Sequence, residues 1–258
     1  MTDAPMLELE DLTMRFGGVT ALDGLTLAVR PGEIFAIIGP NGAGKTTVFN
    51  AITGVFRPAS GDIRLAGASI VRAKRNAVVR AGAARTFQNI RLFHEMTVME
   101  NVLVGTDAHH RTGVFGAMLG VPRHRREEAG GRRRTQELLE FMGLAHRADE
   151  SAASLSYGDQ RRVEIARAMA TGAKLLLLDE PAAGFNRTEK QELAALIRRI
   201  RDLGHTVLLI EHDMELVLGI SDRVAVLDFG HKIAEGPPAE VRETPAVIAA
   251  YLGAEDAA

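Results

Sequence analysis

A glycine-rich turn followed by a lysine and two threonines stands near the beginning of the chain. In the stretch FAIIGPNGAGKTTVFNAITG, the residues Gly39, Gly44, Lys45 and Thr46 match the pattern G-x-x-x-x-G-K-[ST]. Glycines let successive backbone N–H groups point at phosphate oxygens, and the N-terminus of a following helix adds partial positive charge. The lysine would reach the β- and γ-phosphates, and the threonine hydroxyl would ligate Mg²⁺. The pattern therefore predicts nucleotide binding rather than an ordinary strand-to-helix turn.

Two acidic residues and a histidine could act on a phosphate held by this loop. Asp179 and Glu180 close the apolar run KLLLLDE, and His212 closes TVLLIEH. Open α/β sheets place their ligands at the carboxyl ends of the strands, so these side chains would share one edge. Asp179 can hold Mg²⁺, and Glu180 can polarise a water for attack on the γ-phosphate. The alternative for the acidic pair is that it merely starts a helix, which the phosphate loop disfavours. The alternative for His212 is a structural histidine, which its place at the same edge as Asp179 disfavours.

A second anion site is predicted before a later helix. In LSYGDQRRVEIARAMA, residues 155–170, Ser156 and Gly158 precede a helix whose first turn carries Asp159 and Gln160. One nucleotide has no obvious use for two such sites on one chain. Two chains packed head to tail would use both, because each would cover the phosphate of the other.

Alternating strands and helices must position these residues. The runs IFAII, KLLLLDE and TVLLIEH are apolar on both faces, which is typical of central parallel strands covered by helices. Between the last two runs we predict a helix that ends at Gly204. Its apolar face would consist of Leu193, Leu196, Ile197, Ile200 and Leu203. Apolar and polar residues alternate in LELEDLTMRF and LTLAV, which is typical of half-buried strands. Residues 89–155 are interpreted as an inserted, mostly helical lobe.

Composition excludes several kinds of protein. The 258 residues include 31 basic and 33 acidic side chains, a balance that does not favour nucleic acid as a partner. The absence of cysteine excludes disulfides and thiolate chemistry and suits a reducing compartment. No apolar run approaches the ~18 residues that cross a bilayer, and the acidic start is unlike a signal peptide. We therefore expect a soluble chain.

The motifs taken together resemble the ATP-binding subunits of ABC transporters. LSYGDQ is similar to the signature of that family, whose commonest form is LSGGQ. The chain also follows the family order: Phe16, the phosphate loop, Gln88 in RTFQNIRLF, the signature, LLLLDEP and His212. More narrowly, GDQRRVEIARAM, DEPAAGFN, LLIEHDMELVLGISDRVAVL and EGPPAEVRETPAVIAAYLG resemble the ATPase subunits of branched-chain amino-acid importers, as does the long stretch 107–135 before the signature.

The resemblance implies a fold and a domain organisation. The fold would be α/β, with a P-loop NTPase (RecA-like) core around a mostly parallel sheet. An N-terminal antiparallel β subdomain and an inserted α-helical subdomain would complete a single ABC ATPase domain over residues 1–258. Residues 1–88 and 156–258 would form the core with the β subdomain, and residues 89–155 the helical subdomain.

The resemblance also implies a role for each motif residue. Phe16 would stack on adenine. The triphosphate would be wrapped by Gly39, Pro40, Asn41, Gly42, Ala43, Gly44, Lys45, Thr46 and Thr47. The ATP of the opposite subunit would be contacted by Ser156, Gly158, Asp159 and Gln160. Glu180 would be the general base, assisted by His212 and Gln88. The ligands of Mg²⁺ would be Thr46, Gln88 and Asp179.

The implied function is ATP hydrolysis that energises uptake of branched-chain amino acids. The cofactors would be ATP and Mg²⁺. The partners would be two transmembrane permease subunits and a second ATPase subunit, either a related chain or a second copy. A periplasmic binding protein would take part indirectly, and no nucleic acid is expected. The chain would be cytoplasmic and peripheral on the inner face of the plasma membrane.

Several alternatives stay open at this point. The chain could serve an importer of urea or amides, a lipid exporter, or a soluble ABC ATPase without a transport role, whereas a P-loop kinase would not need the signature. Tyr157 and Asp159 depart from the commonest signature, and Asn186 stands where the family usually has aspartate. The basic segment 123–136 is interpreted as a solvated helix pair whose glutamates offset its arginines; contact with anionic lipid is the alternative.

Overall fold

The computed structural model describes residues 4–109 and 122–255. The chain divides into two compact units, residues 1–88 together with 174–258, and residues 89–173. Within the described residues, the strands are β1 Leu7–Phe16, β2 Val19–Val29, β3 Ile34–Ile38, β4 Ser60–Leu65, β5 Ala68–Ser69, β6 Ala83–Arg85, β7 Leu175–Asp179, β8 Thr206–Ile210, β9 Arg223–Asp228 and β10 His231–Gly236. The α-helices are α1 Lys45–Ile52, α2 Arg75–Ala81, α3 Val98–Thr106, α4 Pro122–Met142, α5 Tyr157–Ala170, α6 Arg187–Asp202, α7 Met214–Ile220, α8 Pro238–Arg242 and α9 Pro245–Glu255.

The first unit contains two sheets. The larger has the order β10-β9-β3-β8-β7-β6, in which β10 pairs antiparallel with β9 and the other neighbours are parallel. The strands β3, β7 and β8 are buried along their whole length, as their continuous apolar runs predict. The smaller sheet is antiparallel, in the order β2-β1-β4-β5. One apolar core joins both sheets, so the predicted α/β fold class is confirmed.

The helix between β7 and β8 matches the predicted pattern with one exception. Four of the five predicted apolar side chains on α6 are buried, but Leu203 is 58% exposed. The helix ends at Asp202, and Gly204 then adopts a φ of 91°, so Leu203 lies past the last helical residue and is not held against the core. At the other end, the Asn186 side chain accepts the Glu189 N–H at 3.0 Å. Asn186 is therefore the N-cap of α6, a role that asparagine and aspartate fill equally well.

The second unit contains three helices that pack together within the described residues. The helices α3 and α4 pack against each other and against α5, which contains most of the signature segment. Because α5 makes these contacts, the compact unit includes it and runs to residue 173. The division into subdomains at residue 155 stays a prediction. The predicted helix pair at 123–136 is a single stretch of α4, in which exposed Arg132 lies 3.7 Å from Glu128. Residues 110–121 of the stretch 107–135 lie outside the described residues.

Candidate active site

The phosphate loop lies between β3 and α1, in the strand-to-helix context that the sequence predicts. Gly39 has a φ of 147°, and a Cβ built there would lie 2.1 Å from the Leu227 carbonyl oxygen. Gly44 has a φ of 101°, and its Cβ would lie 2.7 Å from the Ala21 carbonyl oxygen. Both positions combine a left-handed backbone with close packing against other main chain, so only glycine fits them. The loop also contains Pro40, Asn41, Gly42 and Ala43.

The loop leaves the beginning of α1 available to an anion. Its Ala43 carbonyl accepts the Gly230 N–H at 3.1 Å, which ties the loop to the β9–β10 turn. The N-cap of α1 is Gly44, which provides no side-chain cap, while Thr46 and Thr47 occupy the first helical turn. Uncapped N–H groups and the helix dipole favour negative charge at this end.

Lys45 is the cation of this loop. Its side chain is buried, and its Nζ donates to the carbonyl oxygens of Gly39 at 2.7 Å and Pro40 at 2.9 Å. Burial lowers the pKa of Lys45, and the charge of Glu180 opposes this effect. The ammonium therefore lies against the loop backbone and within the electrostatic reach of Glu180.

The predicted Glu180, Gln88 and His212 lie together at the carboxyl edge of the sheet. The Gln88 Nε2 donates to Glu180 Oε2 at 2.6 Å, and His212 Nδ1 lies 3.8 Å from the same oxygen. Glu180 itself has a φ of 45°, a left-handed conformation that side chains other than glycine rarely adopt. Such backbone strain is concentrated at functional sites. The side chains of Glu180 and His212 are 20% and 64% exposed, so solvent reaches this edge.

Asp179 has a partner that sequence reasoning missed. Arg85 Nη2 donates to Asp179 Oδ2 at 2.7 Å, and Arg85 Nη1 donates to the Asn50 side chain at 2.8 Å. The guanidinium also stacks over the rings of Phe49 and Phe87, at 5.4 and 5.2 Å from their centroids. A basic residue in a short edge strand gives no sequence signal for this pairing. The carboxylate predicted to hold Mg²⁺ is thus in a buried ion pair.

Glu211 is a second missed residue. Its carboxylate is buried and accepts the Ala182 N–H at 2.8 Å and the His212 N–H at 3.1 Å. Burial raises the pKa of Glu211, and these backbone donors act in the opposite direction. The only sequence signal is its position next to His212 at the end of β8.

Phe16 lies on an exposed aromatic pair. Its ring is 41% exposed and meets the Phe56 ring edge to face, with the centroids 5.0 Å apart. Phe56, which is 43% exposed, follows α1 and was not predicted from the sequence. Two exposed aromatic side chains in contact provide a surface suited to a planar ring.

The signature residues belong to the second unit and form their own hydrogen-bond network. Ser156 is the N-cap of α5: its Oγ accepts the Asp159 N–H at 3.2 Å and donates to Asp159 Oδ2 at 3.0 Å. Arg147 Nη1 donates to the same Asp159 oxygen at 2.9 Å. Gln160 Nε2 donates to the Leu155 carbonyl at 3.0 Å, and Gly158 lies in the first turn.

Two features are absent from the part of the chain that the structure describes. No group of three or more His, Cys, Asp or Glu side chains is arranged to hold a metal ion there. In the same part of the chain, none of the helices has the length and hydrophobicity that crossing a bilayer requires.

The phosphate loop with its buried lysine follows the buried strand β3, and the acidic pair lies at the carboxyl end of β7 in the same sheet. This combination defines a P-loop nucleotide-binding protein of the α/β class. Sequence comparison narrows this class. A sequence model of the ABC transporter family matches residues 22–183, and the chain belongs to this family. A second model, described as branched-chain amino acid ATP-binding cassette transporter, matches residues 231–257.

Individual relatives agree with this assignment. The chain is 48% identical over 96% of its length to LivG of Escherichia coli K12, a high-affinity branched-chain amino acid transport ATP-binding protein, and covers 98% of that protein. The same values hold for BraF of Pseudomonas aeruginosa, which carries the same description. Among solved structures, the ADP conformation of an ATP-binding cassette of an ABC transporter superposes with a TM-score of 0.84 at 32% identity, over 96% of this chain and 99% of that one. Nucleotide binding is thus a property of the family.

Proposed function

We propose that this chain hydrolyses ATP to drive an importer of branched-chain amino acids. One observation supports the hydrolysis most directly: the Glu180 carboxylate accepts a hydrogen bond from Gln88 and lies near His212, and its charge acts on Lys45. A carboxylate so placed can accept a proton from an attacking water beside a bound γ-phosphate.

Each predicted residue has a role in this proposal. Glu180 is the general base, while His212 and Gln88 orient the attacking water. The phosphate loop binds the triphosphate through its N–H groups and Lys45, and the exposed Phe16 ring stacks on adenine.

Mg²⁺ fits the donor set of this edge. The ion prefers one or two protein oxygens and completes its shell with water and substrate phosphates. Thr46 is exposed in the first turn of α1. Asp179 is the last residue of β7, and Gln88 follows the neighbouring strand β6. When bound, the ion would neutralise charge on the β- and γ-phosphates. The ion pair with Arg85 holds the Asp179 carboxylate in place for that role.

A second ATPase subunit completes the proposed site. Ser156 and Gly158 contact the γ-phosphate bound by the opposite subunit, and Asp159 and Gln160 lie beside them at the nucleotide in the first turn of α5. ATP then draws two subunits together, and hydrolysis lets them separate. This subunit is a second copy or a related chain.

The transport role is supported by the relatives and by the match at residues 231–257. Two membrane permeases would carry the amino acid, and this chain would lie on their cytoplasmic face. A periplasmic binding protein would deliver the substrate to them. Leucine, isoleucine and valine are the proposed substrates.

Glu180→Gln tests the proposal. This variant should bind ATP and accumulate as an ATP-bound dimer, while turnover falls about a hundredfold or more because the general base is lost. Glu243→Gln, an exposed glutamate on the same unit, should keep the parent rate. Hydrolysis by Glu180→Gln at the parent rate would refute the assignment of the base.

The same variants test the transport role. In cells deleted for this chain, the parent should restore uptake of labelled leucine, isoleucine and valine, whereas Glu180→Gln should not. Urea and a short amide serve as matched compounds. Restored uptake of those compounds, with no effect on the branched-chain amino acids, would reject the proposed substrate class.

A further inference from the structure

Glu211 joins the segments that carry Glu180 and His212. Its Oε1 accepts the Ala182 N–H at 2.8 Å, and its Oε2 accepts the N–H groups of His212 at 3.1 Å and Asp213 at 3.5 Å. One oxygen therefore holds the chain after β7, and the other holds the chain after β8. The side chain is 0% exposed, so it does not meet solvent or a ligand directly.

This contact restrains a strained backbone. Glu180 has a φ of 45°, and such a conformation persists only where the surroundings hold it. On one side, the Glu180 N–H donates to the Ile210 carbonyl at 2.9 Å. On the other side, two residues later, the Ala182 N–H donates to Glu211. Residues 180–182 are thus attached to β8 and to the residue that follows it.

The same carboxylate orients His212. Its Oε2 accepts the His212 N–H at 3.1 Å and lies 3.9 Å from the His212 ring Nδ1. Since the His212 side chain is 64% exposed, its direction depends in large part on how the backbone of residue 212 is held. Glu211 therefore fixes the backbone on which both proposed catalytic side chains stand.

We infer that Glu211 is a positioning residue for ATP hydrolysis, which sets the placement of Glu180 relative to His212 without touching the nucleotide. This inference rests on the proposed function. The sequence signal for it is only a glutamate between β8 and His212.

Glu33 provides a matched control. It is also a buried carboxylate whose pKa is raised by burial, and it accepts the Arg30 N–H and pairs with Arg223 at 3.2 Å. It precedes β3, however, and so lies at the opposite edge of the sheet from the phosphate loop. If removing a buried carboxylate only lowers the stability of the fold, substitutions at Glu211 and at Glu33 should have the same effect.

The kinetic test compares Glu211→Ala, Glu211→Gln and Glu33→Gln in the purified full chain. For Glu211→Ala we expect kcat to fall about tenfold to a hundredfold, because a misplaced base loses its alignment. The KM for ATP should stay within about twofold, since the phosphate loop is untouched. The kcat of Glu211→Gln should lie between those of the parent and Glu211→Ala, because the glutamine amide keeps one acceptor oxygen where glutamate has two. Glu33→Gln should keep the parent kcat even where its Tm falls.

Amide hydrogen exchange provides a second readout that needs no hydrolysis. In Glu211→Ala without nucleotide, peptides covering residues 180–186 and 211–214 should exchange faster than in the parent, while the phosphate loop of this variant should exchange at the parent rate. In Glu33→Gln, the peptides 180–186 and 211–214 should exchange as they do in the parent. A parent-like kcat and exchange rate in Glu211→Ala would overturn the inference. If the parent chain itself failed to hydrolyse ATP, the proposed function would fail, and the exchange result would still decide whether Glu211 holds these segments.

Discussion

At the scale of single residues, the signature contains a carboxylate where a phosphate is proposed to bind. Asp159 suits the positive end of α5 but would repel a γ-phosphate. Arg147 counters this effect, because its guanidinium bonds the Asp159 oxygen to which the Ser156 hydroxyl also donates. We expect this pair to compensate for the unusual aspartate in the signature.

A double-mutant comparison tests the compensation. In a Glu180→Gln background, Arg147→Ala should weaken ATP-dependent dimer formation about twofold to fivefold, the range of a partly exposed ion pair. When Asp159→Asn is added to Arg147→Ala, dimer formation should return to the level of the Glu180→Gln background, because the repelling charge is removed as well. Light scattering against ATP concentration measures the dimer. Glu150→Gln, which removes the other partner of Arg147, is the control and should have no effect.

At the scale of elements, the second unit depends on the close approach of α3 to α5. A Cβ on Gly105 in α3 would lie 2.2 Å from the Arg167 carbonyl oxygen and 2.8 Å from the Ala170 Cβ. This glycine therefore sets the distance between the two helices. Gly130, on the exposed side of α4, has no atom within 4 Å of a built Cβ.

Alanine substitutions at these two glycines should have opposite effects. Gly105→Ala should destabilise the chain by about 1–3 kcal/mol through overpacking. Gly130→Ala should stabilise it by roughly 0.5–1 kcal/mol, because alanine is the better helix former. Urea unfolding of the two variants beside the parent measures both changes. Equal stability of the two variants would contradict the described packing.

At the scale of the whole molecule, the proposed site is divided between the two compact units. The phosphate loop and Glu180 belong to the first, and the signature belongs to the second. In the proposed dimer, each ATP uses the first unit of one chain and the second unit of the other. The arrangement predicts that two different inactive chains can restore each other.

Mixing two variants tests this division. Lys45→Ala damages the phosphate loop, and Ser156→Ala with Gly158→Asp damages the signature, so each preparation alone should be inactive. After mixing, half of the dimers contain both chains and one of their two sites is intact, so activity should reach about a quarter of the parent value. Turnover by the parent should also rise with protein concentration. Turnover by a monomeric parent, independent of concentration, would contradict the dimer.

The sequence alone determined the features that depend on neighbouring residues. Gly39 and Gly44 predict the phosphate loop because its backbone excludes a Cβ, and continuous apolar runs predict the central strands because both of their faces are buried. The order of motifs was enough to indicate the family, which the comparisons confirm. Gly204 ended its helix as predicted, although Leu203 did not reach the core.

Only the tertiary structure decided which distant residues meet. Arg85 and Asp179, and likewise Ala182 and Glu211, are far apart in the chain and come together because parallel strands bring their carboxyl ends to one edge. The tertiary structure also shows that α5 belongs to the second unit, because this helix packs against α3 and α4. Local patterns carry no information on such pairings, because a buried arginine or glutamate acquires its partner only when separate elements pack together.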